Sequence, residues 1–115
     1  MVRWISEAEF SAAFEQALAP YIGRVRAVTG PGRSGAIASV YASHCLGVPF
    51  IPYGATIPDR LAPLLIADTA EMSGATLRKA LRRYEHLSPV AVAAFHEPPR
   101  VVFWYEAAYL ERISL

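Results

Sequence analysis

Charge and cysteine are both scarce in this sequence. Of its 115 residues only 18% are charged, and 11 basic against 10 acidic side chains leave a net charge of +1. A protein with so little net charge has no electrostatic footprint for nucleic acid or for an acidic membrane surface. The single cysteine, Cys45, cannot form a disulfide within the chain, and a structural zinc site built from cysteines is excluded as well.

An uninterrupted apolar stretch is also missing. The longest segment without Asp, Glu, Lys or Arg, residues 34–58, is broken by Gly47, Pro49, Pro52 and Gly54, so it cannot form one membrane-spanning helix. The first residues, MVRWISEAEF, show no basic segment followed by an apolar one, and we expect no signal peptide. These absences predict a soluble, cytoplasmic protein with neither nucleic acid nor a membrane as its partner.

Apolar side chains, in contrast, are abundant. They make up 54% of the chain, and the mean hydropathy is +0.27. This composition is too apolar for a disordered chain, and the length predicts a single domain over residues 1–115. So much apolar surface on so small a protein also predicts a homodimer.

Helices and strands alternate in the predicted order of elements. Ser6 and Glu9 form a capping box, and apolar residues then recur at helical spacing until Pro20 ends the helix. Two further helices are predicted over residues 34–46 and from Ser73 onward. The alternation predicts an α/β fold, a mostly parallel twisted sheet of about five strands flanked by helices. Apolar runs place these strands at residues 25–29, 48–53, 62–67, 90–95 and 101–105.

The two later helices differ in their predicted environment. The helix at residues 34–46 is small or apolar almost all round, which predicts that it is buried against the sheet, with His44 and Cys45 in the core. Gly47 is placed as its C-cap. The helix after Ser73 has a basic face, which we interpret as a solvated surface rather than a nucleic-acid contact. That face consists of Arg78, Lys79, Arg82 and Arg83.

The strand predicted at residues 62–67 leads into its helix through small and polar residues. The first N–H groups of that helix lack intrahelical partners, and the helix dipole favours an anion there. Gly74 and Ala75 leave room for a phosphate. Thr76 supplies a hydroxyl donor, as does Ser73, and Asp68 is placed to accept hydrogen bonds from sugar hydroxyls. The pattern predicts a sugar-phosphate site in the segment Asp68-Thr69-Ala70-Glu71-Met72-Ser73-Gly74-Ala75-Thr76.

A second turn of the same kind follows the first predicted strand. It is glycine-rich, opens the next helix and carries Arg33, which would hold a second anionic group such as a pyrophosphate. Since the carboxyl ends of parallel strands meet at one edge of the sheet, we expect both turns to face one crevice. The segment is Thr29-Gly30-Pro31-Gly32-Arg33-Ser34-Gly35.

Three segments resemble a known family, the type I phosphoribosyltransferases. LLIADTAEMSGAT resembles that family's signature for 5-phosphoribosyl-1-pyrophosphate (PRPP): an apolar run, an acidic pair, a short loop, then Thr or Ser, Gly, a small residue and Thr. VTGPGRSGAIASVYASHCLGVPFIP is similar to its pyrophosphate-loop segment, and residues 100–106 are similar to the last strand of its xanthine/guanine-type members. The resemblance extends over roughly residues 25–106.

The resemblance implies a fold, an activity and a set of roles. The activity would be the transfer of phosphoribose from PRPP to a nitrogenous base. Residues 69–76 would hold the 5-phosphate, residues 29–35 the pyrophosphate, and Asp68 the ribose hydroxyls, with Asp68 and Arg33 as the catalytic residues. Mg²⁺ would enter with PRPP, and the spacing of His, Cys and carboxylates supports no metal site of the protein's own.

The sequence departs from the family pattern at several positions. Thr69 stands at the second acidic position and Met72 where purine-specific members have an aspartate, while the neighbouring Glu71 is expected to point elsewhere. Residues 53–61 are too few for the family's mobile hairpin, and Arg100 replaces its base-stacking tryptophan. These departures favour weak or lost turnover.

Simpler interpretations stay open for each feature. Asp68 and Ser73 also suit the capping of a turn and a helix, and Arg33 suits a solvated loop. Three aromatic residues, Trp104, Tyr105 and Tyr109, suit packing, a dimer interface or base stacking. A catalytically silent binding or regulatory protein is the alternative to the enzyme. A generic doubly wound nucleotide-binding domain fits less well, because the first turn does not match a dinucleotide fingerprint.

Overall fold

The computed structural model describes residues 3–71, 74–96 and 101–106. Strands and helices alternate along these residues, with short 3₁₀ turns between several of them. The described elements are β1 (Arg3–Ile5), α1 (Glu7–Leu18), β2 (Ala27–Thr29), α2 (Gly32–Leu46), β3 (Leu64–Glu71), α3 (Ala75–Arg83), β4 (Val90–His96) and β5 (Val101–Phe103). No helix in the described ranges is long and apolar enough to cross a membrane.

The central sheet is parallel and three-stranded, in the order β2-β3-β4. The prediction of about five strands in one sheet is therefore wrong for the described residues. Residues 48–53 contribute one isolated bridge, between Val28 and Phe50. Pro49 and Pro52 lack the N–H groups that a continuous ladder needs. The last predicted strand, as β5, pairs instead with β1, which the sequence pattern did not predict.

The α/β prediction is confirmed by the layers on the two faces of this sheet. Alternate residues of each strand point to opposite faces. Val28 and Leu65 belong to the core under α1 and α2, while Ala27 and Leu64 belong to the core under α3. The fold therefore consists of a parallel sheet between helical layers, with the carboxyl ends of its strands at one edge.

The Ser6 half of the predicted capping box on α1 is confirmed, whereas the Glu9 carboxylate pairs with Arg3. The Ser6 side chain accepts a hydrogen bond from the Glu9 N–H at 3.1 Å, which satisfies one of the helix's unpaired donors. Phe10, Phe14 and Leu18 are buried at the predicted helical spacing. The α-helix ends at Leu18, two positions before Pro20.

Helix α2 buries one face, and the prediction of a helix buried all round is wrong. Its buried residues are small and recur at helical spacing on the side that packs on β2 and β3. His44 and Cys45 lie outside that stripe and are exposed, and Val40 is 43% exposed. Gly47 is the C-cap, as predicted. The small residues allow the helix to pack closely on the sheet. Their abundance is the reason why the sequence pattern predicted a fully buried helix. The buried residues are Gly35, Ala38, Ser39 and Ala42.

Helix α3 has the predicted amphipathic pattern. Leu77, Ala80 and Tyr84 face the sheet and are buried. The basic residues at 78, 79, 82 and 83 are exposed. Strand β3 ends at Glu71 and α3 begins at Ala75, so the helix N-terminus lies near the carboxyl end of β3, where the candidate site was predicted.

Candidate functional site

Strand β3 continues past the predicted end of the strand. It runs to Glu71, because Ala70 and Glu71 are in register with Phe95 and His96 of β4. The prediction that residues 69–71 form a loop is therefore wrong. Asp68 consequently lies within the strand, where it is 9% exposed.

Asp68 opens onto a cavity at the N-terminus of α3. The cavity has a volume of about 230 Å³. One wall is the end of β3 and the other is the first turn of the helix. Its lining residues are Asp68, Ala70, Glu71, Gly74, Ala75, Thr76 and Leu77. The structure thus brings together most of the predicted sugar-phosphate segment, whereas Met72 and Ser73 lie outside the described residues.

Gly74 occupies the N-cap position of α3, where Ser73 was predicted to cap the helix. Its φ of 75° lies in the left-handed region, and a Cβ there would come within 2.9 Å of Arg78 Nη1. Gly74 has no side chain that could cap this helix terminus, and the first turn carries no acidic residue. The partial positive charge of a helix N-terminus favours an anionic ligand in the cavity.

Burial dominates the electrostatics of Asp68. Desolvation raises the pKa of this carboxyl from 3.8 to about 6, and the negative charge of Glu71 adds to the rise. The Thr69 N–H, which donates to Asp68 Oδ1 at 2.7 Å, acts in the opposite direction. Asp68 is thus an anion at neutral pH, in surroundings that favour its protonation. A ligand hydroxyl that donates to it would relieve that cost.

Glu71 lines the same cavity. It is the last residue of β3, where the chain leaves the strand and alternation no longer fixes the direction of the side chain. Glu71 Oε1 lies 3.0 Å from His96 Nδ1 at the end of β4. Glu71 Oε2 lies 3.5 Å from the position that a Cβ of Gly74 would occupy. The cavity therefore has the Asp68 carboxylate in β3 and the Glu71 carboxylate beside the N-terminus of α3.

The second predicted turn is built differently. Thr29 is the last residue of β2 and fully buried, and α2 begins at Gly32, so residues 32–35 are helical rather than a loop. Arg33 and Ser34 line a cavity of about 290 Å³ together with Ile37, Tyr105 and Glu106. None of these residues lines the Asp68 cavity. The two turns therefore line two different cavities.

Gly30 serves packing. A Cβ at this position would overlap the carbonyl oxygens of Gly35 and Ala67 and the hydroxyl of Ser39. Gly35 is equally enclosed, because its Cβ would lie 3.0 Å from the Pro31 ring. These two glycines allow α2 to cross directly over the ends of β2 and β3, so they serve the contact between helix and sheet.

Tyr105 connects the two cavities. Its hydroxyl lies 3.0 Å from Ser34 Oγ and 3.2 Å from Thr69 Oγ1. The sequence interpretation as packing or base stacking missed this role, because Tyr105 is 71 residues from Ser34 along the chain. No spacing rule connects positions so far apart. The related interpretations of Arg100 and Tyr109 fall outside the described residues.

Solved structures share this architecture over nearly the whole chain. The xanthine-guanine-hypoxanthine phosphoribosyltransferase of Helicobacter pylori matches with a TM-score of 0.77, 15% identity and 100% coverage of both chains. A purine phosphoribosyltransferase from Pyrococcus horikoshii matches with a TM-score of 0.69 and 19% identity, over 90% of this chain and 93% of that one. The chain has the fold of the type I phosphoribosyltransferases.

A third match to the phosphoribosyltransferase fold carries a nucleotide. It is a hypothetical protein from Neisseria gonorrhoeae with bound ppGpp, with a TM-score of 0.73 and 12% identity over 99% of this chain and 94% of that one. Identities this low show the fold alone. No protein-family model and no curated protein sequence matches the chain.

The segment in the place of the family's mobile hairpin lies away from the Asp68 cavity. The Gly54 N–H donates to the Tyr84 hydroxyl at 2.8 Å, and Arg83 donates to the Gly54 carbonyl at 3.3 Å. Arg83 and Tyr84 mark the C-terminal end of α3, whereas the cavity lies at its N-terminus. A helix of 9 residues separates its ends by roughly 13 Å. In this arrangement the segment does not cover the cavity.

The resemblance of the sequence to the phosphoribosyltransferases implies magnesium that is bound together with PRPP. In the described part of the chain no group of three or more His, Cys, Asp or Glu side chains could hold a metal ion. Asp68 and Glu71 alone do not make up a ligand set for a resident ion. The described residues thus do not fit a magnesium site of the protein's own.

Proposed function

We propose that this protein binds a 5-phosphorylated ribose, as PRPP or as the ribose 5-phosphate part of a nucleotide, in the Asp68 cavity. One observation carries the proposal. A buried carboxylate at the end of a parallel strand and the N-terminus of the following helix line the same cavity. Sugar phosphates need both kinds of group, an acceptor for hydroxyls and a set of donors for the phosphate.

The phosphate is assigned to the α3 end of the cavity. Gly74, Ala75 and Thr76 line it there, and the N–H groups of a first helical turn have no intrahelical acceptor. The Thr76 hydroxyl adds a side-chain donor. The Asp68 carboxylate would repel a phosphate placed beside it, which favours the orientation with the phosphate at α3 and the sugar at Asp68.

The ribose is assigned to Asp68. A carboxylate accepts hydrogen bonds from the hydroxyls of the sugar, and such bonds to a charged acceptor are about twice as strong as neutral ones. In a transfer reaction the glycosidic carbon becomes cationic, and the negative charge of Asp68 would stabilise that charge. The chemistry of the reaction thus also places Asp68 at the reacting end of the ligand.

The Arg33 cavity is assigned to the pyrophosphate of PRPP. Arg33 presents a permanent cation and Ser34 a hydroxyl, both in the first turn of α2. Magnesium, carried in by PRPP, would neutralise part of the pyrophosphate charge. The acceptor of phosphoribose would be a nitrogenous base.

Binding without transfer is the second candidate function. The Thr69 hydroxyl stands where the family has its second acid, and it is in contact with Tyr105. The segment at Gly54 does not cover the cavity. In the family, the second acid and a hairpin that covers the site both accelerate transfer. Their replacement here favours a binding or regulatory protein.

Titration calorimetry tests the proposal. The ligands are ribose 5-phosphate and PRPP, each with and without Mg²⁺, with ribose and inorganic phosphate as controls. Asp68→Asn removes the charge while keeping the shape, and we expect a loss of affinity for ribose 5-phosphate of at least about tenfold, since a bond to a charged acceptor is lost. Asp59→Asn, at an exposed position in a distant turn, is the matched control and should bind like wild type.

The outcomes separate the candidates. Wild-type binding that depends on Asp68 but not on Asp59 supports the sugar-phosphate site. Formation of a nucleotide from PRPP and a base would add the transferase, and its absence would leave the binding protein. No heat with any of the ligands, or unchanged affinity in Asp68→Asn, would contradict the assignment.

A further inference from the structure

Three hydroxyl groups meet beside the Asp68 cavity. They belong to Ser34 in the first turn of α2, Thr69 in β3 and Tyr105 in the turn after β5. A phenol has one proton, so the Tyr105 hydroxyl donates to one neighbour and accepts from the other. The three groups therefore form one hydrogen-bonded chain that joins elements far apart in sequence.

Thr69 connects the hydrogen-bonded hydroxyl groups to Asp68. It is 2% exposed, and its backbone N–H donates to Asp68 Oδ1 at 2.7 Å. The same residue thus contacts Tyr105 through its side chain and the carboxylate through its backbone. A group that fixes Thr69 also fixes the direction of the Asp68 carboxylate.

Tyr105 is itself held firmly. Its ring stacks on Phe103, with the centroids 5.5 Å apart and an interplanar angle of 9°. Its edge contact with Trp104 has a centroid distance of 5.1 Å. Burial raises the pKa of Tyr105, so the hydroxyl keeps its proton at neutral pH. These contacts leave the hydroxyl a fixed partner for Thr69.

We propose that Tyr105 is a positioning residue of the Asp68 cavity, which holds the Asp68 carboxylate in place through Thr69. The proposal deepens the function proposed above, and its ligand measurement rests on that function. A second measurement, the titration of Asp68, needs no ligand. The two can therefore fail separately.

The direction of the titration effect follows from the contacts. The Thr69 N–H lowers the pKa of Asp68, so a loosened Thr69 should let that pKa rise. The other groups near the carboxyl are Glu71 on β3, whose carboxylate lies beside His96 of β4, and Arg78 on α3, which approaches Gly74. All of these stay unchanged when the Tyr105 hydroxyl is removed.

The experiment compares variants that differ by single hydroxyl groups. Tyr105→Phe keeps the ring and its stacking, Thr69→Val keeps the shape of the threonine, and Thr69→Ser restores the hydroxyl. Ser34→Ala removes the hydrogen bond between Tyr105 and Ser34 and leaves the one between Tyr105 and Thr69. The Asp68 carboxyl is titrated by ¹³C NMR, with Asp68→Asn to assign its signal, and ribose 5-phosphate binding is measured by calorimetry.

We expect the midpoint of the Asp68 titration to move to higher pH in Tyr105→Phe and in Thr69→Val, with no further shift in the double variant. Thr69→Ser should titrate like wild type, and Ser34→Ala should shift less than Tyr105→Phe. Ribose 5-phosphate should bind about fivefold more weakly to Tyr105→Phe, the loss expected for one hydrogen bond.

An unchanged or lowered midpoint in Tyr105→Phe would overturn the proposal, as would additive shifts in the double variant. If wild type does not bind ribose 5-phosphate but the midpoint shifts as expected, the sugar-phosphate function fails and Tyr105 remains the residue that positions Asp68. If wild type binds and the midpoint does not move, only the role of Tyr105 fails.

Discussion

Two strand-to-helix turns with similar sequences have different structures in this protein. The turn after β3 leads into a cavity lined by Asp68 and the first residues of α3. The turn after β2 uses Gly30 to bring α2 against the ends of the strands. Glycine and small residues allow close approach of any group to the backbone, whether a ligand or another segment of the chain. Whether a ligand or another segment of the chain approaches such a glycine depends on which residues the fold places next to it.

The largest effect should come from Gly30→Ala. The added Cβ meets backbone oxygen atoms of Gly35 and Ala67, which cannot move without displacing α2 or β3. We expect a loss of about 3 kcal/mol or more in the free energy of unfolding. Urea denaturation measures it.

Gly32→Ala is the control for that variant within the same turn. Gly32 has a φ of 69° and no atom within 4 Å of its Cβ position, so the cost is limited to backbone strain, about 1 kcal/mol. Equal losses in the two variants would show that Gly30 does not serve packing as described.

Asp68→Asn should stabilise the protein near neutral pH. Because the folded-state pKa is raised to about 6 from 3.8, the folded protein binds the proton more tightly, and its stability falls as pH rises between these values. The full cost, about 3 kcal/mol, is present above the folded pKa. The variant lacks this cost, so its advantage should vanish below pH 4 and be largest at pH 8.

Thermal and urea unfolding of Asp68→Asn and wild type at pH 3 and pH 8 test the sign of this stability difference. A site residue that weakens the fold is typical of functional positions. Greater stability of wild type at pH 8 would mean that Asp68 is satisfied by the protein alone, and the contrast between the two turns would weaken.

Features of the fold that depend on local sequence could be predicted, whereas features that depend on contacts between distant parts of the chain could not. The Ser6 cap and the two faces of α3 follow from local spacing, and both were predicted correctly. The extension of β3 to Glu71 depends on pairing with β4. The pairing of β1 with β5 joins the two ends of the described chain.

The candidate site shows the same division. Asp68 and residues 74–76 were assigned from a strand-to-helix pattern, and they line one cavity. The burial of Gly30 and the contact of Tyr105 with Thr69 have no local signal, because each requires segments that meet only in the folded protein. Local sequence patterns thus predicted which segments line the candidate site, whereas the contacts of each residue depend on the tertiary fold.

Arg33→Gln should separate the two cavities by ligand. Arg33 lines the cavity assigned to pyrophosphate and not the Asp68 cavity. We expect PRPP to bind about tenfold more weakly, as for the loss of one charge-assisted contact, and ribose 5-phosphate to bind as in wild type. Calorimetry with both ligands checks this. An equal loss for the two ligands would mean that the turns serve a single crevice after all.

Thr76→Val should have the smallest effect and the most local one. Thr76 is exposed in the first turn of α3, so the free energy of unfolding should change by no more than about 0.5 kcal/mol. Its hydroxyl is assigned to the phosphate, and one hydrogen bond corresponds to about a fivefold loss of affinity for ribose 5-phosphate. Ribose without a phosphate should show no difference between variant and wild type. A loss of affinity that is the same for ribose and for ribose 5-phosphate would mean that Thr76 does not contact the phosphate.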